Sequence, residues 1–324
     1  MLISIILFFL IVIAVSLFIA RYRKHSNKKT DRRSRETWAI GIYKGPSPLQ
    51  LSPAADISNP ILTAKDVTDI KARFVADPFM IQNKEGFHLF FEVLNDSSDL
   101  GEIGYAFSAD SQHWQYRNII LKKRFHLSYP YVFFWDNRYY MLPECSDSGG
   151  IQLYEAKRFP DQWELAATIL KGNGRFSALA DPSIIHYKNR WYLFSYAIKS
   201  KNLHLFSSDA LNDGWKEHPK SPIITASPQF ARPAGKLVIS DGTIYRYAQD
   251  ETPHYGTRVW AFRITELTEL MYNEEAVGDE PILQPGNELW NKDGMHTVDA
   301  HKSGSGEWMA FVDGFTIKAD PLTV

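Results

Sequence analysis

Charged and aromatic residues stand directly before four evenly spaced prolines. These residues are Asp77, Tyr129, Asp181 and Arg232, and successive prolines after them are 52, 52 and 51 residues apart. His296 occupies the corresponding position in a fifth, looser unit. Carboxylates, a guanidinium and an imidazole at repeated positions could exchange protons with a substrate or bind its hydroxyl groups. The spacing therefore indicates one polar site assembled from distant segments.

A second set of polar residues follows the first at a similar distance. Glu92 and Glu144 come fifteen residues after Asp77 and Tyr129, and Tyr196 comes fifteen residues after Asp181. The fourth and fifth units are looser and contribute Gln249, Asp250 and Asp313. Each of these residues also has a structural interpretation. Asp before Pro is an ordinary turn residue, Arg232 could neutralise the two aspartates, and His296 could be a core histidine.

Alternating apolar and polar segments predict the elements that carry these residues. After each proline an apolar strand runs into a polar turn and then into an aromatic-rich strand, as in PYVFFWDNRYYMLPE. A third strand follows at 103–108, 151–156 and 203–208, and a fourth ends at 119–121, 168–170 and 223–224. Four strands in a unit of about 50 residues are typical of a propeller blade. The fold class is therefore all-β, a five-bladed β-propeller.

The residue before a proline favours extended geometry, and the innermost strand of a blade starts at the propeller axis. The residues before the prolines should therefore face the axis as a ring. The fifth unit, from Gly294 to Ile317, lacks an outer strand, and residues 38–43 can supply it and close the ring.

The first twenty residues predict a membrane anchor. Residues 2–20 contain no charge, Pro or Gly, and as a helix they span roughly 28 Å, about the thickness of the hydrocarbon layer. A cleaved signal peptide is the alternative, but no Lys or Arg precedes the apolar run. Eight cations and one Asp follow between Arg21 and Arg35, which favours a cytoplasmic location for everything after the helix. We expect an anchor over 1–20, a basic linker over 21–37 and a propeller over 38–324, held at an inner or plasma membrane.

Charge and cysteine content exclude several classes of function. The chain carries a formal charge of −1, of which the first 35 residues contribute about +7, so the propeller is acidic. An acidic domain is a poor partner for nucleic acid. Cys145 is the only cysteine, which excludes an intrachain disulfide and a cysteine-based metal site. The sequence assigns no metal ligands and leaves the cofactor unknown.

Together these motifs resemble the N-terminal domain of glucosamine inositolphosphorylceramide transferase and its bacterial relatives. The resemblance covers about residues 38–317 and rests on FVADPF, GEIGYAFSADSQHW, HLSYPYVF, YYMLPE, ADPS, ARPAG, YAQD and HTVDA. That domain is similar to the five-bladed arabinanase, levansucrase and invertase propellers. In the plant enzyme it precedes a glycosyltransferase domain to which nothing in this sequence is similar, so the transferase activity is not expected here.

The resemblance implies roles for individual residues. Glycosidases of this group use an Asp in the first blade, an Asp in the third and a Glu acid that opens the fourth. Asp77 and Asp181 match the first two, but the fourth blade opens with Ala231-Arg232-Pro233 and offers no carboxylate. Hydrolysis would need Glu144 or Glu92 as the acid.

Two functions remain open from the sequence. The first is a membrane-anchored, carbohydrate-active propeller acting on a cell-surface glycan or glycolipid or its precursor. In it, Asp77 is the general base, Asp181 orients substrate or tunes a pKa, and Glu144 is the acid. Arg232 and His296 bind an anionic or hydroxyl-rich group. The second is a non-catalytic propeller that binds a glycan for a partner glycosyltransferase. In both, the expected substrate-binding residues are Glu92, Tyr129, Arg232, Gln249, Asp250, His296 and Asp299.

Overall fold

The computed structural model describes residues 36–318 apart from 177 and 305. The anchor predicted over 1–20 and the basic segment up to Arg35 lie outside the described residues. Within the described range, no helix has the length and apolar character needed to cross a bilayer. Residues 38–316 form one compact unit.

Twenty-one strands account for nearly all of the regular structure that is described. In chain order they are β1 (Glu36–Ser47), β2 (Gln50–Pro53), β3 (Ala72–Asn83), β4 (Gly86–Asn95), β5 (Leu100–Ser108), β6 (Gln115–Leu121), β7 (Ser128–Trp135), β8 (Arg138–Glu144), β9 (Gly150–Arg158), β10 (Gln162–Lys171), β11 (Leu179–Tyr187), β12 (Arg190–Ala197), β13 (Asn202–Ser208), β14 (Lys216–Glu217), β15 (Arg232–Pro233), β16 (Val238–Ser240), β17 (Thr243–Asp250), β18 (Arg258–Leu267), β19 (Tyr272–Ala276), β20 (Val298–Lys302) and β21 (Trp308–Ile317).

The strands pair into five sheets, as the repeat predicts. Blade 1 has the order β3-β4-β5-β6, blade 2 β7-β8-β9-β10 and blade 3 β11-β12-β13-β14. In blade 4 the inner strand is split, because β15 and β16 both pair with β17, which continues to β18 and β19. Blade 5 has the order β20-β21-β1-β2. The all-β, five-bladed propeller is confirmed.

Blade 5 joins the two ends of the compact unit and closes the ring. The prediction that residues 38–43 complete this blade is confirmed, but their position within it is corrected. They belong to β1, which is the third strand, and Gln50–Pro53 form the outer strand. Ile40 and Ile42 are fully buried in a cluster with residues of blade 1, including Leu89 and Phe91. Blade 3 also differs from prediction, because its fourth strand is Lys216–Glu217 and Ile224 forms only an isolated bridge with Leu203.

The inner hairpins of blades 1 to 3 share one irregularity at the repeated prolines. In each, two residues of the inner strand face one residue of the second strand, at Ala76/Phe79, Ser128/Tyr131 and Ala180/Ser183. This is a β-bulge, which bends a strand and redirects its side chains. Asp77, Tyr129 and Asp181 accordingly have φ of +53°, +46° and +48°. The extended geometry expected before these prolines was therefore wrong, because the bulge imposes a positive φ.

Candidate functional site

The repeated bulge brings the first residues of the inner strands into hydrogen-bonding contact. The backbone N–H of Tyr129 donates to Asp77 Oδ2 at 3.1 Å, which connects blade 2 to blade 1. The backbone N–H of Asp77 donates to Asp313 Oδ2 at 2.9 Å, which connects blade 1 to blade 5. A positive φ at a non-glycine residue costs free energy and is often found at functional sites. The strained positions therefore lie where neighbouring blades meet.

Asp77, His296 and Asp313 form one buried chain of polar contacts. Asp313 Oδ1 accepts from His296 Nδ1 at 2.8 Å and from the backbone N–H groups of His296 and Thr297 at 3.1 and 2.9 Å. The other ring nitrogen of His296, Nε2, lies 3.4 Å from Asp77 Oδ1. Thr297 Oγ1 also donates to this oxygen, at 2.9 Å. Asp313 thus fixes the imidazole so that Nε2 faces Asp77.

Burial and neighbouring charges shift the pKa values of this chain of groups. Burial raises the pKa of Asp77 to about 7, although the positive charge of His296 opposes the shift. The negative charges of Glu92, Asp313 and Asp181 add to the increase. Burial acts to lower the pKa of His296, but the charges of Asp313 and Asp77 outweigh it and raise the value to about 9. At neutral pH, His296 is therefore a cation and Asp77 can gain or lose a proton.

Arg232 is the centre of a second group of charges. Its Nε donates to Asp181 Oδ2 at 2.5 Å and its Nη1 to Glu251 Oε1 at 3.1 Å, while Nη2 lies 3.6 Å from Glu144 Oε2. The guanidinium carbon also lies 5.5 Å and 4.8 Å from the ring centroids of Tyr196 and Tyr255, within cation–π range. One arginine therefore pairs with carboxylates from blades 2, 3 and 4.

Asp181 is held from a second side by Gln249. The Nε2 of Gln249 donates to Asp181 Oδ2 at 2.8 Å and to the carbonyl of Pro233 at 2.8 Å. These two acceptors fix the orientation of the amide, and the buried Oε1 of Gln249 has no hydrogen-bond partner in the structure. Burial and the charge of Glu144 raise the pKa of Asp181 to about 7 although Arg232 opposes the shift.

Glu92 lies beside His126, a residue that the sequence did not single out. His126 Nε2 lies 3.1 Å from Glu92 Oε1, and its Nδ1 accepts from the backbone N–H of Gly101 at 2.9 Å. A Cβ on Gly101 would come within 2.3 Å of the Leu127 carbonyl and 2.8 Å of Glu92, so only glycine allows this approach. The side chain of His126 is 35% exposed, which places it at the solvent side of the charged groups.

The structure therefore brings together seven of the ten predicted site residues with two others. We call this set the axial cluster, and its members are Asp77, Glu92, Glu144, Asp181, Arg232, Gln249, Glu251, His296 and Asp313. Tyr129 is fully buried at the axis, where its hydroxyl contacts Ser183 Oγ at 2.8 Å and the Gly235 carbonyl at 3.0 Å, so it bonds to protein groups.

Two predicted binding residues contact other groups. Asp250 accepts from the backbone N–H of Thr252 at 2.7 Å and from Trp260 Nε1 at 3.3 Å, so it orders a loop of blade 4. Asp299 lies three residues beyond His296 and accepts from the backbone N–H of Met80 at 2.6 Å. It also contacts His301 Nε2 at 2.7 Å and Lys236 Nζ at 3.4 Å.

Glu251 and Asp313 join the cluster without an assigned role in the sequence. Asp313 belongs to the second set of polar residues found in the sequence, although it was given no catalytic or binding role, and Glu251 follows β17 directly. The spacing that singled out Glu92 and Glu144 is stretched in blades 4 and 5, so the fifteen-residue rule does not find them. Ligand atoms of Asp77, His296 and Asp313 also lie within 4.8 Å of one another, the spacing of a metal site. In this structure those same atoms are occupied by hydrogen bonds to each other and to the backbone.

Comparison with known proteins agrees with this architecture. Residues 30–315 match the family described as glucosamine inositolphosphorylceramide transferase 1, N-terminal. A relative of that name from Oryza sativa subsp. japonica is 34% identical over 311 residues, which is 89% of this chain. The chain spans about two fifths of that relative, since the match covers 41% of its length.

Solved structures of low sequence identity share the fold. A putative glycoside hydrolase from Bacteroides ovatus superposes with a TM-score of 0.58 at 13% identity, covering 81% of this chain and 95% of the other. The α-L-arabinanase of Cellvibrio cellulosa, solved with arabinohexaose, gives a TM-score of 0.51 at 14% identity, covering 74% and 92%. At these identities the likeness concerns the propeller fold alone.

The raised pKa of His296 predicts how stability depends on pH. Protonation of His296 stabilises the folded state, because the pKa of this imidazole in the folded protein exceeds the ordinary value of 6.5. This contribution is complete below pH 6.5 and is lost as the pH rises through about 9. We expect the free energy of unfolding, measured in urea, to fall between pH 6.5 and about 9.5, and His296→Gln to reduce that slope. The matched control is His113→Gln, since the His113 side chain is 86% exposed. An unchanged slope in His296→Gln would contradict the assignment.

Proposed function

Because residues 30–315 match its family model, the chain belongs to the glucosamine inositolphosphorylceramide transferase 1 N-terminal family. From this premise we propose that the axial cluster binds carbohydrate. Sugars present many hydroxyl groups that both donate and accept hydrogen bonds. The cluster offers carboxylate and amide oxygens as acceptors, with tyrosine faces beside them. The relatives' name associates them with a glucosamine-bearing glycolipid. A glycan or glycolipid headgroup is therefore the proposed ligand.

The pairing of Arg232 favours binding over hydrolysis. By resemblance to the glycosidase propellers, a carboxylic acid would open the fourth blade and donate a proton to the leaving group. Arg232 occupies that position and is paired with Asp181, Glu144 and Glu251. Glu144, the substitute acid considered from the sequence, is one of these partners. We propose a non-catalytic glycan-binding propeller that supports a partner glycosyltransferase.

A catalytic function is the second candidate, and the two strained aspartates favour it. Asp77 and Asp181 are buried, have positive φ and have pKa values raised to about 7. Perturbed carboxyl groups of this kind are typical of general acids and bases that work near neutral pH. In this reading Asp77 takes a proton from water, Asp181 orients the sugar and Glu144 donates a proton.

We further propose that the chain is anchored to a membrane through residues 2–20. Trp38 begins the compact unit, and its ring centroid lies 4.2 Å from that of His296. The chain therefore enters the propeller beside the axial cluster. Because β1 begins at Glu36, a linker over 21–35 could reach roughly 50 Å when extended, which would keep a lipid-borne sugar within range. The cation-rich linker favours a cytoplasmic propeller.

A C-terminal fusion tests the side of the membrane. Alkaline phosphatase, which is active only outside the cytosol, should give no signal when it is fused after Val324. Green fluorescent protein at the same position is the matched control and should fluoresce. Strong phosphatase activity would reverse the proposed orientation.

Asp77→Asn distinguishes the two candidate functions. The substitution keeps the shape of the side chain but removes its charge and its ability to accept a proton. If the propeller only binds sugar, affinity for D-glucosamine or myo-inositol should fall by about 1–3 kcal/mol, the value of one charged hydrogen bond, with folding retained. If it is an enzyme, release of nitrophenol from a panel of nitrophenyl glycosides should stop.

Asp56→Asn is the matched control, because Asp56 is half exposed and pairs with Lys44 at 2.6 Å outside the cluster. It should change neither affinity nor turnover. Calorimetric titration and product release measure both properties on the same preparations. Unfolding of the domain by Asp77→Asn, detected by thermal denaturation, would show that Asp77 is structural. Unchanged affinity in a folded Asp77→Asn protein would contradict a binding role for Asp77.

A further inference from the structure

Lysine and arginine side chains are concentrated at one end of blades 2 and 3. This is the axial end, at which the inner strand of each blade begins and where the axial cluster lies. The cations come from the loop between β6 and β7, the end of β10 and the turn between β12 and β13. We call them the basic sector, and its members are Lys122, Lys123, Arg124, Lys171, Lys199 and Lys201. The turn between β8 and β9 adds one acid at this end, Asp147.

Carboxylates neutralise only part of the basic sector. Lys122 Nζ lies 2.9 Å from Glu102 Oε1, and Lys201 Nζ lies 4.0 Å from Glu251 Oε2. The exposed members that form no ion pair with any residue in the described part of the chain are Arg124, Lys171 and Lys199. The basic sector therefore keeps a net positive charge, although the propeller as a whole is acidic.

The acids of the adjoining turn in blade 1 are already paired. Asp96 lies 2.7 Å from Lys71 Nζ and 3.1 Å from Arg73 Nε, and Asp99 lies 2.8 Å from Arg73 Nη1. These two aspartates therefore do not offset the charge of the neighbouring basic sector.

The turns at the opposite end of blades 2 and 3 have a different charge. They hold Lys188 and four acids, which are Asp136, Asp161, Asp209 and Asp213. Arg158 pairs with Asp161 at 2.9 Å and Arg190 with Asp209 at 2.8 Å. These turns therefore carry no excess of positive charge that would attract an anionic surface.

An exposed apolar side chain accompanies the cations. Ile198 is 39% exposed and directly precedes Lys199 in the turn between β12 and β13. The backbone N–H of Ile198 donates to the Ala178 carbonyl at 3.2 Å, and that of Lys201 donates to the Ala197 carbonyl at 2.9 Å, so the turn is held in place. An apolar side chain beside lysines suits the boundary between lipid headgroups and acyl chains.

The described chain enters the propeller at the same end, on another side of the axis. β1 begins at Glu36 in blade 5. The ring of Trp38 packs against those of His296 and Phe315, with centroids 4.2 Å and 4.4 Å apart. Blade 5 closes the ring between blades 4 and 1, whereas the basic sector belongs to blades 2 and 3. The point of entry and the basic sector therefore lie on different sides of the axial cluster.

We propose that the axial end of blades 2 and 3 docks on the anionic headgroups of the membrane through the basic sector and Ile198, so that the axial cluster faces the bilayer. This inference rests on the proposed membrane anchor and adds the surface that meets the lipid. Each Lys or Arg held close to an anionic leaflet strengthens the attachment, and the attraction is lost beyond a Debye length. Contact on two sides of the cluster fixes an orientation that a tether at one point leaves free.

Hydrogen exchange of the full chain in lipid nanodiscs tests the docking. Nanodiscs of phosphatidylcholine alone are compared with nanodiscs that also contain phosphatidylglycerol. We expect the anionic lipid to slow amide exchange about tenfold or more in residues 122–127 and 198–201. Residues 209–215, at the opposite end of blade 3, are the internal control and should exchange equally in both. High salt should remove the difference, because it screens the attraction.

Charge reversal then tests the basic sector itself. The double variant Arg124→Glu with Lys199→Glu should lose the slow exchange in phosphatidylglycerol. Lys188→Glu with Lys216→Glu, at the opposite end, is the matched control and should keep it. Equal exchange in the two lipids, for a protein that has entered the nanodiscs, would overturn this inference and leave the anchor intact. Failure of the full chain to enter nanodiscs would overturn the anchor and this inference with it.

Discussion

The pairing of Arg232 with three carboxylates is the interaction on which the site depends. Asp181, Glu144 and Glu251 come from three different blades. Without Arg232, the buried carboxylates of Asp181 and Glu144 would lose this cation, and Glu251 would keep only Lys201, at 4.0 Å. Removing one partner of a buried ion pair typically costs about 3–5 kcal/mol, because the remaining charge stays desolvated. Arg232 therefore joins blades 2, 3 and 4 and also determines which residues of the cluster are left for a ligand.

The repeat made the fold predictable, and it identified much of the site for the same reason. One bulge recurs at Asp77, Tyr129 and Asp181, so residues 52 positions apart occupy equivalent places at the axis. Periodicity reveals such equivalence without any knowledge of local geometry. Periodicity does not reveal the positive φ at these residues. A residue before proline by itself favours extended geometry, and only the bulge gives it a positive φ.

The remaining errors occur where the repeat is irregular. Glu251 and Asp313 come later after their inner-strand residues than Glu92 does, and the split inner strand of blade 4 shifts the register there. His126 lies in the loop between blades 1 and 2, and its position depends on the close approach to Gly101. Asp250 and Asp299 had suitable residue types, but tertiary contacts with Trp260, Lys236 and His301 give them other partners. Contacts of this kind are not encoded in spacing.

The propeller fold is shared with glycoside hydrolases, yet fold alone does not determine activity. Under the proposed function, the carboxylates paired with Arg232 are not free to act as the acid that would cleave a bound sugar. A crystal structure of the protein soaked with methyl D-glucosaminide tests this account most directly. It predicts an intact sugar at the axis, within hydrogen-bond distance of carboxylates of the axial cluster. An empty axial cluster, with the sugar bound on an exposed surface such as the Phe134–Trp135 hairpin, would contradict it.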